Sequence, residues 1–130
     1  MKVHVVIPIG VSTPGTPVMD LLRRSVRSAK EQTYSDFSLT VASDENVSEE
    51  CKQFLLSENV NVDWYSPASF FRRGGIWKKI TESWKKRESE YVAFLHYDDL
   101  WDSKKLEFQI PFMDENSLNS SWSETYVMDD

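Results

Sequence analysis

Two hydrophobic rhythms alternate along this chain. Val3 to Ile7 is an essentially β-branched run, the pattern of a strand buried on both faces. Pro8 and Gly10 end it, and a loop rich in Ser, Thr, Pro and Gly follows from Gly10 to Thr16. Thr16-Pro17 predicts a helix cap with proline in the first turn. Val18, Leu22, Ser25, Val26 and Ala29 then mark one helix face, with Arg23, Arg24, Arg27 and Lys30 outside it. Phe37, Leu39 and Val41 alternate with polar residues as a second strand that ends at Ala42-Ser43-Asp44-Glu45-Asn46. Asn46 and Glu49 fit a capping box for a short helix carrying Cys51, Phe54 and Leu55. Val60, Val62 and Trp64 predict a third strand. Ser66 to Gly75, with Arg72-Arg73-Gly74-Gly75, reads as a loop, and Ile76, Trp77, Ile80 and Trp84 mark a helix face beyond it. Trp64, Trp77 and Trp84 are expected in the core. Tyr91 to Leu95 reads as a buried strand. Ser103 is expected to start a last helix bearing Leu106, Ile110 and Met113, kinked or shortened by Pro111. Asn116 to Asp130 is polar and fits one more strand or a frayed tail, whose Trp122 and Tyr126 could pack against another chain.

The order is β-α-β-α-β-α-β-α. Strands alternating with helices predict an α/β fold, a mostly parallel sheet with helices on both faces. At 130 residues, one domain spanning residues 1–130 is expected. Hydrophobic residues make up 40% and charged residues 28%, so nothing in the composition opposes an ordinary globular core. The net charge of −6 argues against a nucleic-acid surface, although a small phosphate ligand needs only local positive charge or a metal. Cys51 is the single cysteine, so no intrachain disulfide can form, and it is expected to be an inert, partly buried thiol. No apolar run approaches the ~18 residues of a membrane span, and Met1 leads straight into a strand without a visible signal peptide. A reducing, cytoplasmic setting is the expectation.

The candidate chemistry gathers where the strands end. In a parallel sheet all carboxyl ends share one edge, which is where such folds bind ligands. That edge would bring together Pro8-Ile9-Gly10, Ser43-Asp44, Ser66 and His96-Tyr97-Asp98-Asp99. Gly10 would let the backbone approach a ligand closely. Adjacent carboxylates at Asp98 and Asp99 call for a cationic partner, and a divalent ion with phosphate oxygens would supply one. A capping and turn role before Trp101 is the bland alternative for that pair, as it is for Asp44. Arg72, Arg73, Lys78 and Lys79 could neutralise a diphosphate. Equally, Lys78-Lys79 and Lys85-Lys86-Arg87 could form a solvated helix face.

These residues carry a resemblance. Val3 to Pro8 resembles the opening strand of family 2 glycosyltransferases of the GT-A fold. Ser25 to Phe37, with Gln32-Thr33-Tyr34, resembles their "Q-T-(F/Y)" segment, and Ala42 to Asn46 their "D-D-G-S" turn. Glu90 to Trp101, followed by Lys105-Leu106-Glu107, resembles "G-E-Y-(I/V)-x-(F/Y)-L-D-x-D-D-x-(W/Y)-x-P-x-(K/R)-L-E". The likeness spans nearly the whole chain.

The resemblance implies a GT-A, Rossmann-like domain that binds a nucleotide sugar, UDP-glucose or UDP-galactose first among them. Pro8, Ile9, Gly10, Asp44, Arg73, Lys79 and Asp98 would line the donor. Asp44 would contact the base and Asp98 would lie near the ribose. Asp99, with Asp98 and His96, would hold Mn²⁺ or Mg²⁺ against the diphosphate. Inverting transfer to an acceptor hydroxyl would follow, or hydrolysis of the donor. A sugar-nucleotide-binding module without transfer is the alternative. This sequence departs from the family at His96, which replaces the first acid of D-x-D and could be a ligand or a strand-end histidine. It departs again at Ser43, which replaces the first Asp of "D-D-G-S". The acceptor half, with its catalytic base and "Q-x-x-R-W" segment, has no counterpart, and Glu124, Asp129 and Asp130 are the only late acids. The acceptor and the catalytic base are therefore left unassigned, and a homo-oligomer could complete the site. A receiver-like phosphorelay domain of similar length would need acids after the first strand, where this chain has Pro8-Ile9-Gly10.

Overall fold

A computed structural model describes residues 1–10, 18–66 and 75–123. The elements follow the expected order: β1 (Val3–Ile9), α1 (Met19–Lys30), β2 (Phe37–Asp44), α2 (Glu49–Ser57), β3 (Asn61–Tyr65), α3 (Gly75–Lys85), β4 (Tyr91–Phe94) and α4 (Lys105–Glu115). The four strands form one parallel sheet in the order β3-β2-β1-β4. Successive strands step outward from β1 to β3, and then the chain crosses back to place β4 on the other side of β1. Between β1 and β4 the winding reverses, and at such a point the carboxyl ends of the strands open a crevice.

Every residue of β1 is buried, as its apolar run requires. Alternation sorts its side chains between two faces. Val3, Val5, Ile7 and Ile9 join Leu22, Val26 and Ala29 of α1, Cys51, Phe54 and Leu55 of α2, and Leu106 and Ile110 of α4 in one large core. On the opposite face Val6 meets Ala42 and Ile80 in a much smaller cluster beneath α3. Helices thus cover both faces, unequally.

Several details differ from the sequence reading. The cap of α2 is Ser48, whose Oγ accepts a hydrogen bond from the Cys51 amide at 3.2 Å; the helix begins at Glu49, which moves the cap position past Asn46. Val18 stands exposed at the start of α1, off the buried face, and the predicted Thr16-Pro17 cap lies outside the described residues. Trp77 is 57% exposed and Trp64 42% exposed, because α3 turns Lys79, Ile80 and Ser83 toward the sheet and β3 is an edge strand. Trp84 is half-buried and donates its indole N–H to Ser89. β4 is the other edge strand, half-buried with Phe94 exposed, where a buried strand was expected. α4 starts at Lys105, two residues later than expected, and runs through Pro111 to Glu115. Cys51 is fully buried and burial pushes its thiol up to about 11, which makes it unreactive. No described helix is long and apolar enough to cross a membrane.

Candidate functional site

The carboxyl edge brings together residues from three elements that are far apart in sequence. β1 ends at Ile9 level with Ser43 of β2, and Asp44 follows level with Tyr65 of β3. From above, α3 sends Lys79 down onto these strand ends. The Lys79 ammonium lies 2.5 Å from Asp44 Oδ1 and donates to the Ile9 carbonyl at 3.1 Å. Both side chains are almost wholly buried, Lys79 at 5% and Asp44 at 7% exposure. An ion pair removed from water this way needs close geometry and further hydrogen bonds to offset its desolvation. The Ile9 carbonyl supplies one. Gly10 completes the packing: a Cβ there would stand 2.8 Å from Asp44 Oδ2 and 2.9 Å from Lys79 Nζ. A side chain there would have to push these side-chain ends aside, so glycine leaves the room the pair occupies.

Lys79 was expected to face a diphosphate. It holds the carboxylate expected to read the base, and so fixes the direction in which Asp44 points. Ile9 contributes its carbonyl to this cluster, and Pro8 lies within β1 level with Ala42. Ser66 is exposed just after β3. Arg72 and Arg73 lie outside the described residues, as do Glu124, Tyr126, Asp129 and Asp130.

The second part of the edge follows β4. Leu95 still bonds back to the sheet through Val6, and the chain then turns, with the Asp99 amide donating to the His96 carbonyl at 3.0 Å. Asp98 and Asp99 are both exposed on this turn. The half-buried His96 ring lies edge-on to Phe94, 5.8 Å between centroids, and Phe94 in turn meets Trp77 at 5.0 Å. Among the described residues no three His, Cys, Asp or Glu side chains gather into a self-sufficient metal cluster. Two exposed carboxylates on one turn do fit a hard divalent cation that draws its other ligands from phosphate oxygens and water.

Sequence reasoning noticed Gln32-Thr33 and Glu107 as family features and missed what they do. Gln32 donates to the carbonyls of Ser28 and Asp102 (3.2 and 2.7 Å), and its Oε1 accepts from the Leu106 amide at 3.0 Å. The Thr33 amide donates to the Ser103 carbonyl, and its hydroxyl donates to Glu107 Oε2 at 2.9 Å. The Trp101 amide donates to Ser28 Oγ. The end of α1 therefore grips both ends of the segment from Trp101 to Glu107. Gln32, just past the end of α1, also caps α4, since Lys104 at the cap position makes no side-chain cap of its own. The Asp98-Asp99 turn is anchored by this grip immediately downstream of it. The long separation of Gln32 from Leu106 hid the partnership from any local pattern.

With the geometry in view, comparison with known proteins is informative. No family model matches the chain. It is 35% identical over 101 residues to an uncharacterized glycosyltransferase of Rickettsia bellii, an alignment covering 73% of this chain and 13% of that protein. It is 25% identical over 116 residues to a putative teichuronic acid biosynthesis glycosyltransferase, TuaG, of Bacillus subtilis, covering 88% of this chain and 45% of TuaG. It is also 25% identical over 111 residues to the Escherichia coli UDP-Glc:alpha-D-GlcNAc-diphosphoundecaprenol beta-1,3-glucosyltransferase WfgD, covering 85% and 43%. The chain thus spans less than half the length of these curated relatives. Among solved structures, S. aureus TarS superposes with a TM-score of 0.66 at 21% identity over 90% of this chain and 20% of that one. TarS 1-349 in complex with UDP gives 0.67 at 18% identity, over 96% and 38%. The resemblance read from the residues therefore holds: in sequence the chain is related to glycosyltransferases, and its fold is the parallel α/β fold found in TarS.

Proposed function

We propose that this chain is the donor-binding part of a metal-dependent glycosyltransferase that takes a nucleotide sugar, with UDP-hexoses the leading class. The observation that carries the reading is the carboxyl edge itself. A close-approach Gly10 follows β1 beside the reversal point of the sheet, a buried, pre-aimed Asp44 ends β2 on one side of it, and an exposed Asp98-Asp99 turn follows β4 on the other. Relatives supply support from outside: one is named for the use of UDP-Glc, and a structure of the same fold was solved with UDP.

In this reading Asp44 accepts hydrogen bonds from the base, while Gly10 allows the diphosphate to approach the backbone after β1. Asp98 lies near the ribose. Asp99, with Asp98, would hold Mn²⁺ or Mg²⁺, which when bound supplies Lewis-acid stabilisation of the departing nucleoside diphosphate. His96 is the adjoining candidate ligand. Inverting transfer requires an acceptor hydroxyl in line with the leaving group and a base to take its proton. Among the described residues none is assigned that role. This favours, as a second reading, a module that binds the donor and depends on other polypeptide for transfer.

Calorimetric titration of UDP, UDP-glucose, UDP-galactose and GDP-mannose, with and without Mn²⁺, tests the proposal. Metal-dependent binding of a uridine nucleotide that Asp99→Ala abolishes in a still-folded domain is the expected result. Mn²⁺-dependent UDP affinity unchanged by Asp99→Ala would remove the site assignment. Release of UDP from a bound donor separates the enzyme from the module.

A further inference from the structure

The inner face of α3 is polar where an α/β sheet normally receives aliphatic side chains. Of its three buried residues, Lys79, Ile80 and Ser83, one is apolar. Lys79 and Ser83 stand four residues apart, on one stripe of the helix. Arg87 follows another four along, two residues past the helix end. Each reaches a strand. Lys79 meets β1 and β2 at the carboxyl edge, through the Ile9 carbonyl and Asp44. The Ser83 hydroxyl donates to Asp63 Oδ2 of β3 at 2.8 Å. Arg87 takes the same carboxylate in a two-pronged grip, 2.5 Å to Oδ2 and 3.2 Å to Oδ1, and also donates to the Ser83 carbonyl. Because the Ser83 proton is committed to Asp63, its oxygen is left to accept from His4 Nε2–H at 3.4 Å, and His4 Nδ1 then accepts from Ser38 Oγ at 2.5 Å. His4 is fully buried. One polar network therefore joins α3 to β1, β2 and β3 below the site, and a second joins it to β1 and β2 within the site.

We propose that Asp63, Arg87, Ser83 and His4 form a positioning clamp that sets the register of α3 on the sheet and thereby holds Lys79 against Asp44 and Ile9. Directional bonds explain why the stripe is polar. Aliphatic packing tolerates small slides of a helix, whereas a bidentate guanidinium–carboxylate grip fixes both distance and angle. The clamp touches no expected ligand. Its effect on donor binding rests on the donor-site reading above, but its hold on Lys79 does not.

The test uses Arg87→Met, Arg87→Lys as the conservative rescue, and the nearly isosteric Asp63→Asn. Acylation of lysines by an N-hydroxysuccinimide ester is followed residue by residue by mass spectrometry, and circular dichroism verifies the fold. In the wild type, Lys79 is expected to react at least about tenfold slower than the exposed Lys104. Arg87→Met and Asp63→Asn should bring Lys79 most of the way to the Lys104 rate, and Arg87→Lys should recover much of the protection. Lys79 protection unchanged in a folded Asp63→Asn or Arg87→Met variant would overturn the clamp. If Arg87→Met unfolds, Asp63→Asn decides. In parallel, Mn²⁺-dependent UDP affinity should fall about tenfold in Arg87→Met and recover in Arg87→Lys, a coupling of ordinary size between neighbouring sites. A wild type that binds no nucleotide overturns the donor reading and leaves the clamp to the labelling result.

Discussion

The two faces of this sheet are held by different physics. Beneath α1, α2 and α4 lies a broad aliphatic core in which Leu22, Val26, Ile7 and Leu106 are essentially inaccessible to water. Beneath α3 the apolar cluster shrinks to Val6, Ala42 and Ile80, and hydrogen bonds and ion pairs take over. Burial is non-directional, so the first face contributes most of the stability. The second face contributes geometry, because its bonds act only at set distances and angles. The candidate site is built where the second kind of face meets the carboxyl edge. A protein can place a carboxylate more exactly with a buried lysine than with a methyl group.

That contrast can be broken from either side. Leu22→Ala should be the most costly change, at about 4 kcal/mol, since it removes a fully buried side chain from the aliphatic core. Urea unfolding would measure it, and a loss under about 1 kcal/mol would mean the core collapses around the gap. Lys79→Met should cost about 3 kcal/mol by taking the cation from a buried carboxylate. A Lys79→Met, Asp44→Leu double variant should recover most of that stability while losing nucleotide binding. If the double variant is as unstable as the single one, the ion pair is not the source of the cost.

Acid should find the polar face first. Burial, followed by the charge on Arg87, lowers the His4 imidazole from 6.5 to about 4, while Asp63 opposes them more weakly. A folded-state pKa below the unfolded value means that the unfolded chain takes up protons more readily. The stability due to neutral His4 is therefore complete above pH 6.5 and is lost as pH falls toward 4, with about 2 kcal/mol gone by pH 5. Burial alone would raise the Asp63 carboxyl, but Arg87, Ser83 and Lys86 outweigh it and hold it below the ordinary range. It adds acid sensitivity only at lower pH. Melting temperature measured from pH 8 to pH 4.5 should show this fall, and His4→Gln should flatten it. An identical acid profile in His4→Gln would place the sensitivity elsewhere.

Smaller effects sharpen the picture. Gln32→Ala should cost about 1.5 kcal/mol, because it removes two hydrogen bonds to the start of α4, at Asp102 and Leu106, and a third to Ser28 of α1. It should also loosen the segment that anchors the Asp98-Asp99 turn, weakening metal-dependent nucleotide binding beyond what the stability loss explains. Asp99→Ala, on an exposed turn, should change stability by less than about 0.5 kcal/mol. A large change there would show that the turn is structural, and the case for Asp99 as a ligand would weaken.

Much of this was legible in the residues themselves. The run from Val3 to Ile7 reads as a strand buried on both faces because its β-branched residues occupy both alternating sets of positions, with His4 the one polar step. Leu22, Val26 and Ala29 read as a helix face because they repeat at helical spacing. Asp44, Gly10 and Lys79 stood out as candidates, and Asp98-Asp99 did so through their place at a strand end. Hydrophobic patterning misjudged Trp77 and Trp64, since it assigns large apolar residues to the core and cannot see that α3 turns its polar stripe inward. It also misjudged β4, because an apolar run does not reveal whether a strand lies at the centre or the edge of a sheet.

Order, element type and fold class were determined by the sequence alone, because periodicity and turn chemistry act between near neighbours along the chain. The pairing of Lys79 with Asp44, the grip of Gln32 on α4 and the network from His4 to Arg87 were decided only in the tertiary structure. Each joins residues separated by tens of positions, and such partners are chosen by the packing of elements in space, which leaves no periodic trace in the chain.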